Sequence, residues 1–174
     1  MRILYRLAIS LLLVSLPSFA WSQNAPAVAQ PSQGKLSHFG NWIVLCPPDG
    51  DKSGVRCAAQ FSLVDKKRKV PMIVWRIGYN KKQTLVMDMV TPTEVFLAQG
   101  VRLAIGKAPA VTLPYVSCGL RGCQSNLAVP PELLTAIKGS KVAILILAPT
   151  NGKLLQLKLD VSGLDEALTA LGAQ

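Results

Sequence analysis

The sequence has few of the residues on which enzyme active sites and metal centres depend. It contains one histidine, His38, among 174 residues, and nine acidic residues against nineteen lysines and arginines. A serine or cysteine nucleophile needs a general base within hydrogen-bonding reach, and that base is most often a histidine. His38 lies at the edge of a segment with the composition of a linker, and we interpret it as a linker residue. No catalytic residue is therefore predicted.

Other signatures of chemistry are missing as well. The acidic residues stand alone or in predicted turns, except for Asp165-Glu166, which suits the first turn of a helix because the helix dipole favours negative charge there. No carboxylate pair suggests a glycosidase, no glycine-rich phosphate loop carries its lysine, and no His/Asp/Glu cluster is typical of a metal site. The sequence predicts a protein that is not an enzyme and has no cofactor and no metal.

Apolar runs long enough to cross a bilayer, about 20 residues, are also absent. Leu7 to Leu16 is a mostly apolar run of ten, preceded by Arg2 and Arg6 and followed by Ser18-Phe19-Ala20. A basic start, a short apolar stretch and small residues at the cleavage site are typical of a secretory signal peptide. We predict that residues 1–20 are a signal peptide and that the mature chain has no transmembrane span. A retained membrane anchor is the alternative that this length disfavours.

The excess of basic residues indicates a partner of opposite charge. Loss of Arg2 and Arg6 with the signal peptide lowers the formal net charge from +10 to +8. A cytosolic chain this basic would suggest nucleic acid, but an exported protein rarely meets it. We predict no nucleic-acid binding, and instead attraction to anionic lipid headgroups, lipopolysaccharide phosphates or acidic host surfaces.

Composition divides the rest of the chain in two. Residues 21–38 are rich in Gln, Ala, Pro and Ser, which predicts a flexible linker. Residues 39–174 predict a single β domain, in which short strand-like segments alternate with turn signals; Ile73, Trp75 and Ile77, for example, share one face. The predicted fold is mainly β, an antiparallel sandwich or barrel-like domain of about eight or nine strands with two short helices.

Several predicted elements are specific enough to be checked. Phe39 to Cys46 predicts one strand and Val111 to Cys118 another. Val142 to Ala148 is continuously apolar, which favours a strand buried on both faces. One helix is predicted to begin at Pro130-Pro131-Glu132. The other begins at Ser162-Gly163-Leu164-Asp165, whose first and last residues suit a capping box.

The four cysteines, Cys46, Cys57, Cys118 and Cys123, all lie in the part of the chain predicted to be exported. An even number of cysteines in such a chain favours two disulfides, for which three connectivities exist. We favour 46–57 and 118–123, because each pair brackets a short segment with turn character. A zinc site of four thiolates is the alternative, although the ten residues between Cys46 and Cys57 exceed the usual spacing of zinc ligands.

Cys118 and Cys123 bracket Gly119-Leu120-Arg121-Gly122, in which the glycines permit the positive φ angles of a tight reversal. Thiol–disulfide exchange at this pair is the remaining enzymatic alternative. Oxidoreductases of the thioredoxin type place two residues rather than four between their cysteines, at the start of a helix. We therefore favour a structural bridge across a β-hairpin.

A basic run, Lys66, Lys67, Arg68 and Lys69, follows Asp65 between two predicted strands. Behind a secretory signal, its likeness to a nuclear import signal is attributed to chance. A solvated hairpin tip is the simplest interpretation. A candidate anion contact is the functional one, since like charges on a tip concentrate the electrostatic field.

Several weak motifs follow one another in a fixed order from about residue 39 to residue 171. They are Gly40 with Trp42-x-x-x-Cys46, Cys57-x-x-Gln60, Tyr115-x-x-Cys118, Gly122-Cys123, Leu133-Leu134, Lys138-Gly139 and Leu159-x-x-Ser162-Gly163-Leu164-x-x-Ala167-Leu168. As an ordered set they resemble the invasion-associated locus B family of exported alphaproteobacterial proteins. The chain departs from the family pattern in having Gly163-Leu164 where the family has Gly-Phe, and Pro92-Thr93-Glu94 where it commonly has a Pro-Leu-Gly-like step.

The resemblance implies a periplasmic or envelope-associated location, with secretion or surface exposure as alternatives, and no established enzymatic activity. A role in virulence or in stress responses comes from this likeness alone. Our favoured hypothesis is a non-enzymatic, disulfide-stabilised envelope protein that binds an envelope or host-surface protein or an anionic surface. The alternatives are a periplasmic chaperone or assembly subunit that offers a sheet edge, and then a thiol–disulfide redox protein. The sequence carries no signal for the oligomeric state.

Overall fold

The computed structural model describes residues 34–48, 56–67 and 69–172. These residues form eleven strands in two antiparallel sheets and two α-helices, so the prediction of a mainly β, antiparallel fold is confirmed. The predicted signal peptide and most of the predicted linker lie outside the described residues. The elements in chain order are β1 Leu36–Phe39, β2 Trp42–Leu45, β3 Ala58–Val64, β4 Pro71–Tyr79, β5 Leu85–Thr91, a 3-10 helix Leu97–Gln99, β6 Val101–Ile105, β7 Val111–Leu113, β8 Tyr115–Gly119, β9 Gly122–Ala128, α1 Pro131–Ile137, β10 Val142–Leu147, β11 Leu155–Asp160 and α2 Leu164–Gly172.

The larger sheet has seven strands in the order β1-β2-β3-β4-β5-β9-β8, and the smaller sheet has four in the order β11-β10-β6-β7. Most strands pair with a neighbour in sequence, because short turns suffice to join antiparallel strands. The chain changes sheet after β5, after β7 and after β9. Helix α2 packs against β1 to β4, and α1 packs against β6.

The core is filled by side chains that alternate along the strands. Trp42 of β2 and Trp75 of β4 are fully buried on either side of Phe61 of β3. The two indole rings lie edge to face, with centroids 5.2 Å apart, an arrangement that aromatic pairs favour. Leu103 and Leu145 of the smaller sheet belong to the same cluster. The period-two alternation of the sequence therefore gives each sheet one face toward a shared core.

The predicted strand Phe39–Cys46 is wrong as a single element, because the chain reverses at Gly40-Asn41 and forms the β1–β2 hairpin. Gly40 has a φ of 54°, in the left-handed region that favours glycine. The Asn41 N–H donates to the carbonyl of Ser162 at 3.0 Å and fixes this turn beside the start of α2. The strand β1 thereby takes in residues 36–38, which composition alone places in the linker.

The predicted strand Val111–Cys118 is likewise two strands, β7 in the smaller sheet and β8 in the larger. Pro114 lies between them. Proline has no N–H to donate to a ladder, which favours a break in pairing at that position. The chain passes from one sheet to the other at this proline.

Strand β10 is buried on one face, so the prediction of burial on both faces is wrong. Ala143, Leu145 and Leu147 are buried, whereas Ile144 and Ile146 are half-buried. The alternation shows that the outer side chains keep contact with solvent. A continuous apolar run does not distinguish these two arrangements, because it contains no polar residue to mark the outer face.

Helix α2 begins where the sequence predicts, but the predicted capping box is wrong. The Ser162 hydroxyl donates to the Asp160 carboxylate at 2.6 Å, and the Ser162 N–H donates to the same oxygen at 3.0 Å. These hydrogen bonds hold the pKa of Asp160 below its ordinary value. The serine therefore closes a turn with Asp160, two residues before it, rather than with Asp165.

Candidate surface-binding site

Two hairpin turns of the larger sheet project beyond the same end. The register aligns Val74 of β4 with Val90 of β5, and Val90 with Gln124 of β9. The β3–β4 turn precedes Pro71 in β4, and the β8–β9 turn precedes Gly122 in β9. Both turns therefore lie on the same side of the aligned residues, at one end of the sheet. Because β5 alone separates β4 from β9, these strands are about 10 Å apart.

A third turn is joined to this end by backbone hydrogen bonds. The chain leaves β5 at Thr91, and its next residues pair with the turn between β10 and β11. The Phe96 N–H donates to the carbonyl of Ala148 at 2.8 Å, and the Thr150 N–H donates to the carbonyl of Glu94 at 3.1 Å. The segment 94–97 and the β10–β11 turn therefore form one continuous edge beside the end of β5.

These elements share a composition of exposed apolar and basic side chains. Ten large apolar side chains are exposed among the described residues, and six of them belong to these three turns and this segment. Leu120 is fully exposed, and Leu154 is 67 % exposed. Each hairpin turn also carries at least one cation. We call the set the tip surface: Val64, Lys66, Lys67, Lys69, Val70, Phe96, Leu97, Leu120, Arg121, Lys153 and Leu154.

The β3–β4 turn holds most of the cations that the sequence singles out. Asp65 closes it: the Lys67 N–H donates to the Asp65 carboxylate at 2.8 Å, and the Asp65 N–H donates to the carbonyl of Val70 at 2.9 Å. The side chains of Lys66, Lys67 and Lys69 are exposed. These three are the candidate anion contacts that can be placed, since Arg68 lies outside the described residues.

The β8–β9 turn is held by a disulfide. Cys118 and Cys123 lie directly opposite each other in the ladder and are bridged. Gly122 has a φ of 129°, and a Cβ built there would lie 2.4 Å from the carbonyl oxygen of Thr91. A glycine is therefore required at this position. The bridge and the glycine together present Leu120 and Arg121 at the tip.

Tyr115 supports the base of the stapled hairpin. Its hydroxyl lies 3.0 Å from the Thr91 hydroxyl, and the Thr91 hydroxyl is also 3.5 Å from the carbonyl of Cys123. Partial burial raises the pKa of the Tyr115 phenol, and the hydrogen bond to Thr91 opposes part of that effect. Sequence reasoning missed this pair, because Thr91 and Tyr115 are 24 positions apart and no local signal indicates their contact.

The second disulfide lies at the opposite end of the larger sheet. Cys46 and Cys57 are bridged just beyond the paired residues Leu45 and Ala58. Both bridges thus join the cysteines that the turn-like spacing favours, and the part of the chain that the structure describes contains no free thiol. The β4–β5 turn also lies at this end and carries Lys81 and Lys82.

Nothing else in the described ranges indicates a catalytic or metal site. The region described contains no group of three or more His, Cys, Asp or Glu residues that could hold a metal ion. His38 is exposed on β1 opposite Ile43. A cavity of about 90 Å³ lies beside α1, far below the size of a typical ligand pocket, about 300–1,000 Å³. No helix within the described residues has the length and hydropathy needed to span a bilayer.

Comparison with known families identifies the chain. The family model of the invasion associated locus B (IalB) protein matches residues 42–172, which is most of the described β domain. The chain belongs to the IalB family. The resemblance read from the ordered motifs is thereby confirmed, and a disulfide-stabilised protein of the IalB type is established.

The fold has a solved counterpart. The crystal structure of invasion associated protein b from Bartonella henselae matches with a TM-score of 0.69 and 17 % sequence identity, over 80 % of this chain and 96 % of that chain. At this identity the likeness concerns the fold alone. No curated protein matches the chain.

Proposed function

We propose that this IalB-family protein is exported to the cell envelope and acts, without enzymatic activity, by binding an anionic envelope or host surface through its basic β3–β4 turn. The observation that carries the proposal is the exposure of Lys66, Lys67 and Lys69 on one protruding turn. All three belong to one turn at an end of the larger sheet, so an anionic surface can approach them together.

Two disulfides support the exported location. Disulfides persist in oxidising compartments such as the periplasm and are rare in the cytosol. Each bridge here closes a hairpin between neighbouring strands, which is a structural use. The signal-like N-terminal sequence, residues 1–20, supports the same location.

The charge of the described residues supports an anionic partner. A lysine close to an anionic membrane contributes about 1 kcal/mol of attraction, which falls off within a Debye length, about 8 Å at physiological salt. The three placed lysines thus supply about 3 kcal/mol at close approach. Attraction of this kind is independent of sequence in the partner, and it weakens as salt rises.

A charge-reversal pair tests the proposal. We expect the protein to bind vesicles containing phosphatidylglycerol and to be released by 0.5 M salt. The double variant Lys66→Glu, Lys67→Glu should bind at least tenfold more weakly in a vesicle sedimentation assay. The matched control is Lys81→Glu, Lys82→Glu, which changes the net charge equally at the opposite end. Equal losses for both variants would contradict a local site. Absence of binding by the unmodified protein both to these vesicles and to lipopolysaccharide would contradict the proposal itself.

The hypothesis that this protein contributes to host invasion comes from the description of its family and from the name of the Bartonella henselae protein. Such a role requires the tip surface to meet a host membrane or its anionic coat. The proposal predicts that the charge-reversal variant Lys66→Glu, Lys67→Glu loses adhesion to host cells in parallel with vesicle binding. Adhesion that survives this variant would separate invasion from the basic turn.

A further inference from the structure

We infer that the tip surface docks on an anionic phospholipid bilayer and inserts its apolar side chains among the headgroups, while its cations contact the lipid phosphates. This inference rests on the proposed function and names its partner. It extends the site from the basic β3–β4 turn to the stapled β8–β9 turn, the segment 94–97 and the β10–β11 turn.

The first argument is the placement of the exposed apolar side chains. Leu120 and Leu154 are the two most exposed large apolar residues in the described ranges, and each is adjacent in sequence to a cation of the tip surface, Arg121 or Lys153. In the β3–β4 turn, Val70 is likewise adjacent to Lys69, and Val64 lies two residues before Lys66. A repeated pairing of an apolar side chain with a cation suits the boundary between acyl chains and anionic headgroups.

The second argument is that the turns are fixed before any partner arrives. The disulfide holds the turn that carries Leu120, and Asp65 closes the turn between Val64 and Val70. Backbone hydrogen bonds join Phe96 to Ala148, close to Leu154. Insertion therefore orders little of the chain, and less of the attraction is lost to entropy.

The third argument concerns the kind of partner. The apolar side chains are distributed over three turns and the segment 94–97, and each of the three turns also carries a cation. A folded protein would need a matching depression for each turn, whereas a fluid bilayer deforms around separate protrusions. The acids among these elements are Asp65 and Glu94, and Asp65 accepts a backbone hydrogen bond within its own turn. Charge and shape together favour a bilayer.

Truncation of the exposed leucines separates insertion from simple attraction. The full chain, expressed with its own N-terminal segment and purified with both disulfides intact, is titrated with vesicles of phosphatidylcholine containing phosphatidylglycerol. Because each leucine would leave water on insertion, Leu120→Asn should weaken binding about tenfold, and Leu120→Asn with Leu154→Asn still more. The matched control is Leu36→Asn, since Leu36 is 52 % exposed at the opposite end of the sheet; it should change binding less than twofold.

A fluorescent residue at the tip reports depth directly. In Leu120→Trp the new indole should shift its emission to the blue on vesicle binding and be quenched by brominated acyl chains, whereas Leu36→Trp should show neither effect. Of the three native tryptophans, Trp42 and Trp75 are fully buried and Trp21 lies outside the described residues, so Trp21→Phe is introduced into every protein compared. Near-ultraviolet circular dichroism of each variant verifies that the fold is kept.

The outcomes distinguish failure of the proposed function, binding to an anionic surface, from failure of the inference that the apolar side chains insert into a bilayer. If the unmodified protein binds no anionic surface, the proposed function fails. If it binds phosphatidylglycerol vesicles with full salt sensitivity, yet Leu120→Asn binds equally well and Leu120→Trp is not quenched, the proposed function stands and insertion is wrong. Binding to lipopolysaccharide or to an envelope protein, with none to phospholipid vesicles, would also overturn the inference.

Discussion

Strand β4 carries a similar turn at each of its ends. Asp65-Lys66-Lys67 opens the turn before the strand and Asn80-Lys81-Lys82 opens the turn after it. In both, the side-chain oxygen of the first residue accepts the backbone N–H of the second lysine, at 2.8 Å for Asp65 and 2.9 Å for Asn80. The strand spans nine residues, so the two turns are about 26 Å apart.

The difference lies in what surrounds the lysines. The β3–β4 turn has an exposed valine on either side and lies beside the stapled turn with Leu120. The β4–β5 turn continues as Gln83-Thr84, and its Asn80 carboxamide also accepts the Thr84 N–H at 3.0 Å. The same local hydrogen-bonding motif thus supports a plain solvated turn at one end and part of an amphipathic surface at the other. The β3–β4 turn also carries a third described lysine, Lys69, so the two turns differ both in charge and in their apolar neighbours.

Removal of each disulfide should give the largest effects. In the chain-entropy model the 46–57 bridge stabilises the fold by about 3 kcal/mol and the 118–123 bridge by about 2 kcal/mol. Paired cysteine-to-alanine variants should therefore lose these amounts in urea unfolding. Binding to anionic vesicles should fall only for Cys118→Ala, Cys123→Ala, because that bridge holds Leu120 and Arg121. If loss of 46–57 weakens binding as much, the two ends are not functionally distinct.

The hydroxyl of Tyr115 gives a smaller effect that is confined to the stapled end. Tyr115→Phe removes the hydrogen bond to Thr91 and should cost about 1 kcal/mol of unfolding free energy. The control is Tyr79, which lies at the end of β4 away from the stapled turn. It is half-buried, and its hydroxyl makes no hydrogen bond to the described residues. Tyr79→Phe should therefore change the unfolding free energy by less than about 0.5 kcal/mol.

The pH dependence of Tyr115 follows from its partial burial, which raises the pKa of the phenol more than the hydrogen bond to Thr91 lowers it. Its folded-state pKa is raised above the ordinary value of 10.0. Its neutral phenol therefore contributes stability that is complete below the unfolded pKa and is lost as the pH rises toward the folded pKa. The unmodified protein should lose stability above about pH 10 more steeply than Tyr115→Phe in paired urea titrations. Identical alkaline slopes would mean that the phenol is not linked to folding.

The sequence predicts the chemistry of each turn better than the position of each turn in space. Local signals were enough for the face that Ile73, Trp75 and Ile77 share in β4, for both bridges and for the exposed basic turn, because each depends on residues close together in the chain. The split of a predicted strand at Pro114 was missed, since an apolar run does not say to which sheet it belongs.

The gathering of three turns at one end also lies beyond local signals. It depends on the register of β5 with β9 and on the pairing of segment 94–97 with the β10–β11 turn, which join residues 30 to 60 positions apart. The apolar tips, Leu120 and Leu154, each read as an ordinary turn residue in isolation. Only the fold brings them beside the basic run, so sequence reasoning could propose Lys66 to Lys69 and nothing more of the site.

The smallest and most selective prediction exchanges one residue between the two turns of β4. Asp65→Asn keeps an oxygen that can accept the Lys67 N–H and removes one negative charge beside the tip lysines. If those lysines contact anionic lipid, affinity for phosphatidylglycerol vesicles should rise about fivefold at low salt, which corresponds to about 1 kcal/mol. Asn80→Asp makes the opposite change about 26 Å away, roughly three Debye lengths in physiological salt, and should leave affinity unchanged at that salt concentration. If Asp65→Asn raises the vesicle affinity and Asn80→Asp does not lower it, the lipid contact lies at the Asp65 end of β4. If the two variants change the affinity equally and in opposite directions, binding depends only on the net charge of the molecule.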